Sequence, residues 1–190
     1  MKTKLILAAL IAGLLGCVSN KIKYDSSFES VKTANTVTPA ASGVFENATV
    51  KIEAAHKQLM VIRITNKSSG KILIHWDESL FVDPLGAPHK IMHEGVRYIA
   101  RNELQPPTVI LPNAVHVDAI SNVDNVRLGG SAGWQDLGIL QYNFAPIDGA
   151  PQPLADQFVN KPMQLLLVIE HAGRKTDYYL NFKVNGYTKL

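Results

Sequence analysis

The chain has 190 residues, of which 18% are charged and 46% hydrophobic, and its mean hydropathy is +0.03. That length suits one domain with an appended segment, and the composition excludes a disordered chain and a coiled coil. From Gly43 to Leu190 there are 14 basic and 14 acidic residues with no basic stripe, which argues against a nucleic-acid partner.

The first segment reads MKTKLILAALIAGLLGC. Lys2 and Lys4 form a positive n-region, and Leu5 to Leu15 is an apolar stretch too short for a permanent membrane span. Cys17 is the only cysteine, so no intramolecular disulfide is available and the fold must rest on its core. The run Leu14-Leu15-Gly16-Cys17 resembles the lipobox of bacterial lipoproteins. That resemblance implies a signal peptide over 1–16 and cleavage before Cys17. It also implies a diacylglycerol thioether on the Cys17 sulfur and acylation (palmitate-type) of the new amine. Val18, rather than an aspartate, comes after the cysteine, which by the same resemblance favours the outer membrane, with the body facing the periplasm.

Residues 17–42 are rich in Ser, Thr, Asn, Ala and Lys, and their apolar residues recur at no fixed period. They read as the lipidated cysteine plus a flexible tether, about 25–30 Å from end to end as a coil. The alternative is an extra strand over 21–28.

The domain over 43–190 reads as short strands. Ala48 to Glu53 alternates, and Gln58 to Asn66 is a β-branched run. The turn cluster Asn66 to Gly70 joins that run to Ile72–Trp76, which suggests a hairpin. Leu80–Asp83 and His89–His93 flank a Pro/Gly turn, and Thr108–Leu111 and Val115–Ile120 come next. Met163–His171 and Thr176–Val184 form the clearest hairpin, with Tyr178, Leu180, Phe182 and Val184 on one face. No segment carries a capped helical stripe, so the expected class is all-β, an antiparallel β-sandwich. The run LMVIRITNKSSGKILIHW resembles the second and third strands of immunoglobulin-like sandwiches, which implies a core position for Trp76 in a disulfide-free relative.

Residues 129–162 are irregular and rich in Gly and Pro, and carry Trp134, Tyr142, Phe144 and Phe158. Some of these aromatics are expected to fold onto the sandwich and some to form a partner surface. Within the stretch, Gly129 to Gly133 matches G-x-S-x-G around Ser131, with Asp136, Asp148, Asp156 and His171 downstream. A nucleophile elbow needs a strand entering and a helix leaving, and the sequence offers no such helix.

Six histidines are present, His56, His75, His89, His93, His116 and His171. His89 and His93 share a face of a strand but lie about 13 Å apart by strand rise, and a metal needs three or four convergent ligands. The expected function is therefore a non-enzymatic binding or structural module, anchored to the membrane by lipid and serving an envelope protein partner, with no cofactor. The alternatives are a metal- or ligand-binding protein using His75, His89 and His93, and a serine hydrolase at Ser131.

Overall fold

A computed structural model describes residues 22–34, 36–129, 133–140 and 155–189. The signal segment, Cys17, Ser131, Tyr142, Phe144 and Asp148 lie outside the described residues. The chain is all-β and antiparallel, as the alternating runs require. One layer contains β1 (Ile22–Thr33), β2 (Thr36–Pro39), β6 (Ile72–Ile74), β7 (Leu80–Val82), β9 (Thr108–Ile110), β13 (Pro162–His171) and β14 (Arg174–Lys189). The other contains β3 (Val44–Glu46), β4 (Val50–His56), β5 (Met60–Asn66) and β10 (Val115–Asn122). Between them β8 (Pro88–His93) pairs with β7 on one side and β10 on the other, joining the layers into one continuous sheet. A separate ribbon is formed by β11 (Val126–Leu128) and β12 (Trp134–Asp136).

The core lies between the layers. Tyr178, Leu180, Phe182 and Val184 all face it, as period 2 requires, and the β13–β14 hairpin pairs from Pro162↔Lys183 to His171↔Arg174. Ile52, Met60, Ile62, Ile64 and Ile120 meet them from the opposite layer, each fully buried. Trp76, which opens the 3-10 turn Trp76–Glu78 after β6, is also fully buried.

From Ile22 onward the segment expected to be a flexible tether is folded, in line with the alternative of a strand over 21–28. From there the chain forms β1 and β2, and β1 pairs with β14 from Ile22↔Lys189 to Lys32↔Tyr179. Tyr24 and Val31 are buried, and Phe28 stacks on Phe182 at 5.0 Å. The folded body therefore includes residues from Ile22 onward rather than from Gly43. The β1–β14 ladder has two register shifts, at Asp25/Ser26 and Phe28/Ser30, and the second interrupts the alternation of β1. The first leaves Asn185 of β14 unpaired in this ladder and the second leaves Glu29 of β1 unpaired, so Ile22, Tyr24 and Phe28 keep period 2 with Ser26 and Ser27 only half-buried between them, and Val31 falls out of phase.

The hairpin expected between β5 and β6 is also absent. β5 pairs with β4 and β10, whereas β6 pairs with β13 and β9. The Asn66 turn carries the chain from one layer to the other. Asn66 itself makes this possible, being fully buried with its amide donating to the Gly70 and Ile110 carbonyls (2.7 and 3.0 Å). Its side-chain oxygen accepts from the Ser68 N–H at 2.9 Å.

Candidate functional site

β8 and β10 pair only over Ile120↔His93 to Asn122↔Ile91. Beyond that point β8 turns away, and the first part of β10 loses its neighbour on that side. Asp118, on the inward face of β10 and 3% exposed, fills the fork. One carboxylate oxygen accepts the backbone N–H groups of Glu94 and Ala119, each at 2.8 Å. The other lies 3.2 Å from His93 Nδ1 and 2.9 Å from His116 Nε2. Burial by itself would raise the Asp118 pKa, but the hydrogen bonds from His93, the Glu94 N–H and His116 outweigh it and hold the carboxyl below its ordinary value. An ionised carboxylate only accepts, so the facing ring nitrogens carry the protons.

His93 is packed on its other side by Trp76, ring on ring at 4.4 Å and 12°. The indole N–H of Trp76 donates to the Thr108 hydroxyl at 2.8 Å, so β9 is tied to the same group. His93 also lines a half-open pocket of about 280 Å³. Its floor is apolar, with Leu59, Met92, Val96 and Ala119, and Glu94, Tyr98, Ser121 and Asp136 supply the polar wall. Ser121 donates to Asp136, whose second oxygen accepts the Gly138 N–H at 2.8 Å, so β12 is latched to β10.

Beside the pocket lies an exposed aromatic surface. The rings of Tyr98 and Trp134 are 6.4 Å apart, and the Arg101 guanidinium sits 4.9 Å over the Trp134 ring. Arg101 is positioned by donating to the Tyr98 carbonyl at 3.0 Å. Leu128, paired with Trp134 across the β11–β12 ribbon, is 63% exposed, and Ile99 is 76% exposed. Beneath them Met92, Val123 and Val126 form a small second core.

The candidate histidine ligands do not converge. His75 Nε2 meets Glu170 at 2.8 Å, His89 lies between Asp124 (2.7 Å) and Asp83 (3.3 Å), and His93 belongs to Asp118. Among the described residues no group of three or more His, Cys, Asp or Glu side chains is arranged to hold a metal. The elements flanking Ser131 are β11 and β12, and the Gly129 N–H donates to the Gly133 carbonyl at 2.7 Å across the ribbon's end. β12 begins at Trp134, where a nucleophile elbow needs a helix. Of the site residues, the sequence singles out His93 and Trp134 but not Tyr98, Asp118, Ser121 or Asp136 as a group. Asp118 gives no advance signal, because the alternation Val115, Val117, Ala119 puts it on the polar face, whereas Val115 and Val117 are exposed and Asp118 is buried. No family model, curated protein or solved structure matches this chain.

Proposed function

We propose that this chain is a non-enzymatic binding module of a bacterial envelope, anchored through lipid on Cys17 to the outer membrane and turned toward the periplasm. The observation that carries the binding role is the surface around Trp134. Leu128, Ile99 and Trp134 stand exposed on the β11–β12 ribbon and the turn after Arg97, next to a pocket with a polar wall. Grouped exposed apolar and aromatic side chains with a polar rim mark interaction sites more often than bare surface.

The anchor rests on Leu14-Leu15-Gly16-Cys17. Because β1 begins at Ile22, only five peptide steps separate it from Cys17, a reach of at most about 17–18 Å. The module would sit close against the bilayer and bind what lies at the membrane surface.

Two measurements test this. Mass spectrometry of the mature N-terminus should find acylated Cys17, and Cys17→Ser should release the protein into the soluble fraction. A photo-crosslinker at Leu128 should capture an envelope component that one at Glu29, on β1, does not. An unmodified N-terminus, or identical capture from both positions, removes the proposal.

A further inference from the structure

We infer that the exposed surface of Ile99, Leu128 and Trp134 docks on the lipid bilayer itself, which names what the proposed binding surface meets and rests on that reading. The first support is where the surface lies. Cys17 precedes Ile22 by five peptide steps, so an anchor holds Ile22 within about 17–18 Å of the lipidated sulfur. A run of contacts ties that end of β1 to the ribbon. Ser26 Oγ lies 3.0 Å from His56 Nδ1 at the end of β4. In the β4–β5 turn Gln58 donates to the Asp136 carbonyl at 3.2 Å and its carbonyl accepts the Ile139 N–H at 3.1 Å. Leu59, next in that turn, lines the same pocket as Tyr98. The anchored end of β1 and the β11–β12 ribbon therefore share one end of the sandwich.

The second support is the chemistry of the side chains. Leu128 and Trp134 are cross-strand partners and both are exposed, as is Ile99 beside Tyr98. Exposed aliphatic side chains gain by leaving water. A tryptophan suits the headgroup boundary, where its ring is in apolar surroundings and its N–H stays wet. Tyr98, with its ring 6.4 Å from that of Trp134, suits the same depth. The Arg101 guanidinium, 4.9 Å over the Trp134 ring, brings a cation to the level of the lipid phosphates. A protein partner would have to reach this end of the module beside the membrane, whereas the bilayer is the apolar phase already within the anchor's reach. The docked surface adds a second, reversible hold to the acyl chains and fixes which way the module faces.

The test uses the mature chain from residue 17 with Cys17→Ser, which keeps every described residue and carries no lipid. It is mixed with vesicles of phosphatidylethanolamine and phosphatidylglycerol, with and without brominated acyl chains. The chain has two tryptophans and Trp76 is fully buried, so quenching by bromine reports on Trp134. Quenching is expected, and it should vanish in Trp134→Phe. Leu128→Asp should weaken partitioning onto vesicles about tenfold, and Ile99→Asp, on a separate turn, should act alike. Leu111→Asp is the matched comparison and should leave partitioning unchanged. Leu111 is 62% exposed against 63% for Leu128, but lies at the other end of the sandwich, on the turn whose Asn113 N–H donates to the Asn66 carbonyl. An unaltered Tm in each variant separates lost docking from lost fold. The contact is weak and reversible, so washed membranes still release the unlipidated protein. No quenching, quenching that persists in Trp134→Phe, or equal losses from Leu128→Asp and Leu111→Asp overturns the inference. If Leu128 crosslinks to a protein while brominated lipid leaves Trp134 unquenched, this inference fails and the module reading survives. If Trp134 is quenched but Cys17 proves unmodified, the anchor falls and the bilayer contact stands.

Discussion

The imidazole of His93 lies parallel to the indole of Trp76, with 4.4 Å between ring centroids, and the same imidazole faces Asp118 at 3.2 Å. One aromatic stack thus connects the buried core to the polar wall of the pocket. Trp76 is at once a core residue and the support that fixes His93.

Replacing Trp76 should therefore register twice. Trp76→Ala removes a fully buried indole and orphans the Thr108 hydroxyl, at a cost of about 3–5 kcal/mol. Thermal denaturation should show a correspondingly lower Tm. The His93 ring resonances in the NMR spectrum should broaden or move as the stack is lost. An unchanged Tm would show that the indole is not held in the core.

Asp118 closes the fork between β8 and β10 by accepting from two backbone N–H groups and two imidazoles. Asp118→Asn keeps the shape but cannot accept on both sides, and should destabilise by about 1–3 kcal/mol. The lowered pKa of Asp118 sets the pH dependence. In the unfolded chain it protonates at a higher pH, so its contribution is complete above the ordinary carboxyl pKa and is lost as pH falls through the lower folded value. Urea denaturation below pH 5 should show a steeper acid loss in the parent than in Asp118→Asn.

His56 predicts a second, separate acid dependence. Burial, the largest cause, pushes its pKa down to about 4, against an ordinary 6.5, while Asp25 opposes the shift and Lys23 adds to it. Its Nδ1 lies 3.0 Å from the Ser26 hydroxyl and ties the end of β4 to β1. The unfolded chain takes up this proton first, so the stabilisation is whole above about pH 6.5 and fades toward pH 4, about 3 kcal/mol in all. His56→Gln should flatten the stability profile between those limits. A parent profile already flat there would contradict the burial.

Phe28 decides whether β1 belongs to the folded body. It stacks on Phe182 at 5.0 Å, and Phe28→Ala should cost about 3–5 kcal/mol in chemical denaturation. In a loose tether the same change would cost nothing. Limited proteolysis gives a parallel measure, since cleavage between Ile22 and Thr33 should require global unfolding.

Alternation alone makes much of this molecule legible. The all-β class, the β13–β14 hairpin and the inward row Tyr178, Leu180, Phe182 and Val184 come from side-chain period 2 and one tight turn. Both partners of that hairpin are neighbours in the chain, so no distant information is needed to pair them. What alternation specifies is the face that a strand buries, not the strand beside it. That is why β5 and β6, joined by a turn with every sign of a hairpin, can go to different layers, a choice made by the distant carbonyl of Ile110 accepting from Asn66. It is also why β1 is hidden, because its bulge at Glu29 is set by pairing with β14, more than 150 residues away. The pocket has the same origin. Met92 and Tyr98, Ser121, and Asp136 come from three separate stretches of chain, and only the forking of β8 from β10 and the docking of β12 bring them to one wall.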